Sequence, residues 1–372
     1  RNNKSKMIKN RIHAFNNDDV LGNFDTVDLV NLLKSGKISS KEVIEATIKR
    51  AEKVNPTLKA ISYKNFTNAL QDVNKKSDGH FNGIPLFIKD MTNVIGIPTN
   101  YGSEAFKGAK PSKIDDPIIK KIKSMGFINM GMSTMPEMGF TCSTEFPNLQ
   151  NTVNPLNPEY SAGGSSGGAA ALVAAGVVTI AHSADGGGST RIPASCNGLV
   201  GLKPTRGRLL KSKAFEIQPV EIAIDGVETR SVRDTAHFYF EAEKYYNNKK
   251  LQKIGLVTEP TKRKLNIGFV DGPAHGKPLD TATKNALDQT VALLQDLGHQ
   301  LIPVKFPITE QMSDDFKMIL AANAYFVQHL GKSMFPAPFE PKNLSKLTNG
   351  LTKLYSKRIL ESPFIIYRLN KS

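Results

Sequence analysis

The sequence predicts an α/β protein, one large domain built on a central mixed, mostly parallel twisted sheet flanked by helices. Three observations lead there. Short apolar runs such as Gly83–Ile88 and Phe127–Met132 read as buried strands. A capped helical stretch starting at Asp115-Asp116-Pro117 separates them, and strand, helix, strand in succession argues for parallel neighbours. The chain has 372 residues, 40% of them hydrophobic and 22% charged, which suits a globular protein with a sizeable core.

Taken in order, residues 1–24 are polar and basic and are expected to form an arm, with the domain occupying 25–372. Asp25 or Thr26 can cap a helix ending near Ser35-Gly36. Ser39 and Glu42 have the spacing of a capping box. The helix they open carries Val43, Ile44, Ile48, Ala51 and Val54 on one face and is expected to stop at Asn55-Pro56. A strand over Ala60–Lys64 and a helix over Phe66–Lys76 follow. The strand after Gly83 ends in Lys89. Burial disfavours a lysine's charge and is one way to make it a neutral base; the alternative is that it snorkels outward. Pro117 sits in the first turn of the next helix and Gly126 at its end. Ala169–Ala175 is a strong helix former, Val177–Ala181 a β-branched strand, Ile192–Cys196 a helix and Leu199–Lys203 a short strand. Thr229–Asp234 opens a helix to about Tyr245. Leu265–Val270, Asp280–Leu297 and Gln300–Phe306 read as strand, helix and strand, and the remainder as helical and basic.

Composition narrows the function. The net charge of +15 comes from Lys and Arg spread along the chain without interleaved aromatics. That reads as a basic solvated surface, and no nucleic-acid partner is expected. The longest apolar run, Ala169–Ala181, is too short for a membrane span. The two cysteines, Cys142 and Cys196, form neither a disulfide framework nor a C-x-x-C metal pair. No metal and no cofactor are expected, and a reducing, cytoplasmic setting fits. A leader removed before Arg1 stays open, as does the oligomeric state.

The chemistry concentrates in Ser161–Arg191, SAGGSSGGAAALVAAGVVTIAHSADGGGSTR, where two Gly/Ser clusters bracket an apolar segment. Glycine lets N–H groups turn inward as oxyanion donors, and a serine beside such a turn is a candidate nucleophile. Gly163-Gly164-Ser165-Ser166-Gly167 matches G-x-S-x-G, but in so Gly/Ser-rich a run the match is nearly free. The triad histidine is also missing: His237, His275, His299 and His329 lie in no recognisable loop motif, and His182 reads as a core or strand-end histidine. A phosphate loop fails for want of Gly-Lys-Ser/Thr. A serine activated by lysine through another serine remains, with Lys89, Ser165 and Ser189 available.

GIPLFIKD, SAGGSSGGAAA and SADGGGSTRIPASCNGLVGLKPTRGR together resemble the amidase signature family, as does the spacing of 24 residues from Ser165 to Ser189. The resemblance runs from about Asp25 to Pro307 and includes the SVRDTA and ALLQDLGH stretches. It implies the amidase signature fold and a Ser-cisSer-Lys triad, with Ser189 as nucleophile, Ser165 as relay behind a cis peptide and Lys89 as base. It implies an oxyanion hole from the N–H groups of Gly186, Gly187, Gly188 and Ser189. Ser166 would hydrogen-bond around Lys89 and Ser165. Asp185 and Arg191 would brace the loop, with a surface salt bridge the alternative for Arg191. Met138, Gly139, Phe140 and Cys142, with Met135, would lie beside the site, as an acyl pocket or as ordinary packing.

The implied activity is hydrolysis of a small-molecule amide, linear or cyclic, non-peptide or short and peptide-like, through an acyl-enzyme. Gly186-Gly187 stands where many members have Thr-Gly or Ile-Gly. This resembles the branch typified by 6-aminohexanoate cyclic-dimer hydrolase more than the glutamyl-tRNA amidotransferase A subunit. Members usually continue past the point where this chain stops at Ser372, so the C-terminal part of the domain is expected to be missing. Two alternatives stand beside hydrolysis: an amidotransferase A-type subunit that needs a partner and an aminoacyl-tRNA, and a non-catalytic fragment.

Overall fold

The computed structural model describes residues 11–75, 77–147, 150–216, 220–272, 278–305, 308–335 and 338–371. Residues 1–10 of the expected arm, Lys76, His275 and Phe306 lie outside them. The chain divides into two compact units: the described residues of Arg1–Val257 with Phe326–Gly350, and those of Thr258–Tyr325 with Leu351–Ser372.

The first unit begins with local signals that work as the sequence suggests. Helix α1 (Thr26–Lys34) is capped by the Asp25 carboxylate, which accepts the Asp28 N–H. Helix α2 (Ser40–Leu58) opens on a complete capping box between Ser39 and Glu42. It does not stop at Asn55-Pro56. Pro56 lies in the last turn, where it forgoes one bond to the preceding turn, and the Asn55 side-chain amide oxygen accepts the amides of Ala60 and Ile61 beyond the helix end. Strand β1 (Ile61–Lys64), helix α3 (Phe66–Asp72), strand β2 (Pro85–Lys89), helix α4 (Pro117–Ser124) and strand β3 (Ile128–Ser133) follow. β3 pairs with β2 in parallel and with β1 antiparallel.

A short antiparallel pair, β4 (Val153–Asn154) and β5 (Asn157–Ser161), leads to helix α5 (Gly167–Ala174) and strand β6 (Ile180–Asp185). The strand starts three residues later than expected. Val177 and Val178 are buried in the connecting turn, and pairing begins only at Ile180 opposite Thr229. Helix α6 (Arg191–Asn197), strand β7 (Val200–Gly201), the turn α7 (Lys213–Glu216), strand β8 (Ile224–Thr229) and helix α8 (Val232–Tyr245) complete the run. β8 pairs antiparallel with both β6 and β7. The sheets are therefore mixed, as expected. Among the described residues antiparallel pairs outnumber parallel ones, because β8 returns between β6 and β7 and runs opposite to both.

β2 is buried on both faces, and its alternation sorts two cores. Leu86 and Ile88 join a cluster with Ile118, Ile122, Ile180, Val227 and Phe238. Phe87 faces the other way, with Ala169, Leu172, Val173 and Ala181. α5 thus covers the Phe87 face. At the N-terminal edge, Ala14 donates to the Ala175 carbonyl, and Arg50 gathers Asp19 with the carbonyls of Asn16, Gly22 and Gly176.

The second unit contains strand β9 (Asn266–Phe269), helix α9 (Thr281–Asp296) and strand β10 (Gln300–Pro303), with β9 and β10 parallel. Asp280 caps α9. Ion pairs of Arg358 with Asp314 and Glu361, and of Arg368 with Asp315, lie in the same unit.

Candidate active site

Lys89 is the last residue of β2, on the Phe87 face, and is 1% exposed. Its Nζ donates to Ser165 Oγ at 2.8 Å, Ser166 Oγ at 2.9 Å and the Ala184 carbonyl at 3.2 Å. It does not snorkel. Its backbone is held from β6, where its N–H donates to His182 Nδ1 at 3.3 Å. The other ring nitrogen of His182 lies 3.0 Å from Asp225 Oδ1, and Asp225 also accepts the amide and hydroxyl of Ser212. His182 is fully buried, a satisfied core histidine as its position suggested.

The two serines of the first loop sit at the start of α5, and both are buried. The Gly164–Ser165 peptide bond is cis. Ser166 Oγ, besides meeting Lys89, accepts the Ala184 N–H at 3.3 Å. The second loop is tied to the first by a backbone bond, Ser166 N–H to the Ser189 carbonyl at 3.1 Å. Ser189 is half-buried, and its hydroxyl has no hydrogen-bond partner among the described residues.

Asp185 organises this second turn. Its carboxylate accepts the Gly188 N–H at 2.7 Å, the Thr190 N–H at 3.2 Å and a two-pronged contact from Arg191 at 2.8 and 2.9 Å. Burial raises its carboxyl, but Arg191 and the Gly188 amide more than offset that and hold it below the usual carboxylate range. Arg191 is therefore the brace and not a loose surface ion pair. One expectation needs correcting. The Gly188 N–H is spent on Asp185 and cannot also point at an oxyanion. The N–H groups of Gly186, Gly187 and Ser189 have no partner among the described residues.

Burial brings the Lys89 amine down to about 8, with Glu228, Asp185 and Asp225 pulling the other way. A buried amine that is neutral at mildly alkaline pH can accept a proton from a serine it touches.

The turn Glu137–Gly139 comes alongside. A Cβ on Gly139 would lie 3.2 Å from Ser165 Oγ. Met138 packs against the cluster of Tyr101, Phe106 and Phe339, Met135 is fully buried, Phe140 is half-buried, and the backbone of Cys142 lies against Gly164. Glu137 anchors this turn by accepting from Ser103 Oγ at 2.5 Å and from the Ser345 amide at 2.9 Å, with Thr348 also bonded to it. Among the described residues no group of three His, Cys, Asp or Glu side chains could hold a metal, and no helix is long and apolar enough to cross a membrane.

Sequence reasoning missed β8 and its buried acids, Asp225 and Glu228. The available signal was faint: Ile224 and Val227 ahead of the capping Ser231.

The family model described as Amidase matches residues 42–364. The chain belongs to the amidase family. It is 40% identical over 363 residues to the protein named "Putative amidase AmiC" of Mycobacterium leprae, a match covering 97% of this chain and 77% of that one. It is 38% identical over 218 residues to the 6-aminohexanoate-cyclic-dimer hydrolase of Paenarthrobacter ureafaciens, covering 57% of this chain and 44% of that one. Among solved structures, a bacterial aryl acylamidase of the amidase signature family superposes with a TM-score of 0.79 at 26% identity, over 93% of this chain and 74% of that one. A substrate complex of 6-aminohexanoate cyclic dimer hydrolase gives a TM-score of 0.80 at 27% identity, over 89% and 71%. This amidase is a hydrolase of carbon–nitrogen bonds other than peptide bonds, on the amidase signature fold.

Proposed function

We propose that this amidase cleaves its substrate through an acyl-enzyme on Ser189, with Ser165 as proton relay and Lys89 as base. The observation that carries this is the buried contact of 2.8 Å between Lys89 Nζ and Ser165 Oγ, on a loop bonded to the backbone of Ser189. Neutral Lys89 takes a proton from Ser165, which takes one from Ser189, and Ser189 Oγ attacks the amide carbonyl. The N–H groups of Gly186, Gly187 and Ser189 face the developing oxyanion, each worth about 3 kcal/mol. Ser165 returns a proton to the departing amine, and water then releases the acyl group.

The half-buried Phe140, next in the chain to Gly139 beside Ser165, supports a substrate with an apolar acyl chain, linear or cyclic. The relatives named for an aryl acylamide and for a cyclic amide dimer are consistent with that class.

Ser189→Ala and Lys89→Ala should each lower kcat by about a thousandfold or more, and a fluorophosphonate should label Ser189 in the parent protein. Wild-type hydrolysis by either variant would sink the mechanism. The pH profile of kcat/KM should climb as Lys89 loses its proton and level off above about 8. A flat profile from about pH 5 to 9 would remove Lys89 as the base.

A further inference from the structure

Three carboxyl groups act electrostatically on the Lys89 amine, and two of them are spoken for. Asp185 is held by Arg191 and the amides of its turn, and Asp225 by His182 and Ser212. The third, Glu228, is fully buried, and neither of its side-chain oxygens has a hydrogen-bond partner among the described residues.

Its place in the sheet is informative. Strand register sets Glu228 opposite Ala181 of β6 and Gly201 of β7. Opposed residues of an antiparallel pair share a face. Ala181 is on the face that α5 covers, together with Phe87, two residues before Lys89 on β2. Glu228 and Lys89 therefore enter the same layer, beneath the helix whose first residues follow Ser165 and Ser166. The α5 side chains that share this layer with Phe87 and Ala181 include Ala169 and Ala171, which offer no side-chain donor. An isolated carboxylate cannot be held in such a layer without a positive charge near it.

We propose that Glu228 is the counter-charge of Lys89, a positioning residue that sets the pH at which Lys89 becomes a base. This rests on Lys89 being the base. While Lys89 is an ammonium, Glu228 is its carboxylate partner across the layer; when Lys89 gives up its proton the attraction is lost. The other charged groups that act on the pair are Asp185 from β6, which acts on both, and Asp225 from β8, which acts on Lys89. Arg191 neutralises Asp185, and Asp225 is spent on His182 and Ser212. Burial of Glu228 raises its carboxyl well above the usual range while Lys89 pulls it back, as expected of two groups that titrate together.

Glu228→Gln keeps the shape and removes the charge. Its Lys89 should deprotonate more readily, so the acid limb of kcat/KM should move down by about one pH unit. Activity measured about two units below the parent limb should then rise several-fold relative to each enzyme's own plateau. Glu228→Asp, which keeps the charge, should leave the limb within about 0.3 unit of the parent. Should the Gln variant fail to fold, Glu228→Leu, apolar like its layer, carries the same expectation. An unmoved limb in a folded neutral variant overturns the proposal, as does an equal shift in the Asp variant. Fluorophosphonate labelling of Ser189 and the loss of activity in Lys89→Ala, run alongside, report separately on the mechanism itself.

Discussion

In the loop Gly163–Gly168 the space a side chain would take is filled largely by backbone and short side chains; in the turn Gly186–Ser189 it is open at Gly186 and filled at Gly188 only by the flexible end of Ile192. A Cβ on Gly164 would lie 2.9 Å from the Cys142 carbonyl carbon, and one on Gly168 2.4 Å from the Thr134 amide nitrogen. At Gly186 the nearest atom would be 3.5 Å away, an ordinary contact, and Gly187 is exposed. Both stretches are rich in Gly and Ser, so composition alone makes them look alike. In the first, glycine buys proximity: β3, the Cys142 segment and α5 close on Ser165 and Ser166 and keep them buried beside Lys89. In the second, glycine leaves N–H groups bare, and only Gly188, with φ of 120°, is committed to Asp185.

Gly168→Ala should break the first half of this contrast with the largest effect. Alanine is favoured over glycine in a helix by about 1 kcal/mol. The clash here is with the backbone nitrogen and oxygen of Thr134, which cannot swing aside, and the Gly168 N–H donates to that same carbonyl at 3.1 Å. Overpacking of this kind costs about 3 kcal/mol or more, so the clash wins. Urea unfolding should show that loss, and hydrolysis should fall with it. A variant as stable as the parent would mean that the loop is not close-packed.

Arg191→Ala tests the second half with a smaller effect. Asp185 is 1% exposed and would keep only the backbone amides, whereas Arg191 is 52% exposed. The expected loss is about 1–3 kcal/mol, below the range for a fully buried pair. The drop in kcat should be larger in proportion than the drop in stability, because the turn that aims Ser189 loses its brace. Arg191→Lys should recover little, since an ammonium cannot repeat the two-pronged contact. Unchanged kcat in Arg191→Ala would show that the turn holds its shape without the pair.

The legible parts of this protein are those whose cause is local. Asp25, the Ser39–Glu42 box, Pro117 and Asp280 mark helix starts because capping satisfies amides within one turn. β2 is legible because it is apolar on both faces. Pro56 misled because its position in a last turn depends on what Asn55 caps beyond it. β8 is barely legible: IDGVET has two acids and a glycine in six residues, and only His182 and Ser212, outside the strand, explain why Asp225 can be buried. The meeting of Lys89 with Ser165 across 76 residues likewise has no local signal, and family resemblance alone pointed to it.

The finest test of the contrast is Gly186→Ala, where the expected effect is smallest. Its φ does not lie in the left-handed region, and the nearest atoms an added methyl would meet belong to Ala223 and Ile222 at 3.5–3.9 Å. Stability should stay within about 0.5 kcal/mol of the parent. The amide of residue 186 is retained, so kcat should fall by no more than about threefold; loss of a whole oxyanion donor costs about a hundredfold. A larger fall with unchanged stability would mean that the methyl displaces the acyl group. The wall formed by Ala223 and Ile222 would then be part of the substrate pocket, and the open side of the turn would be occupied in the complex.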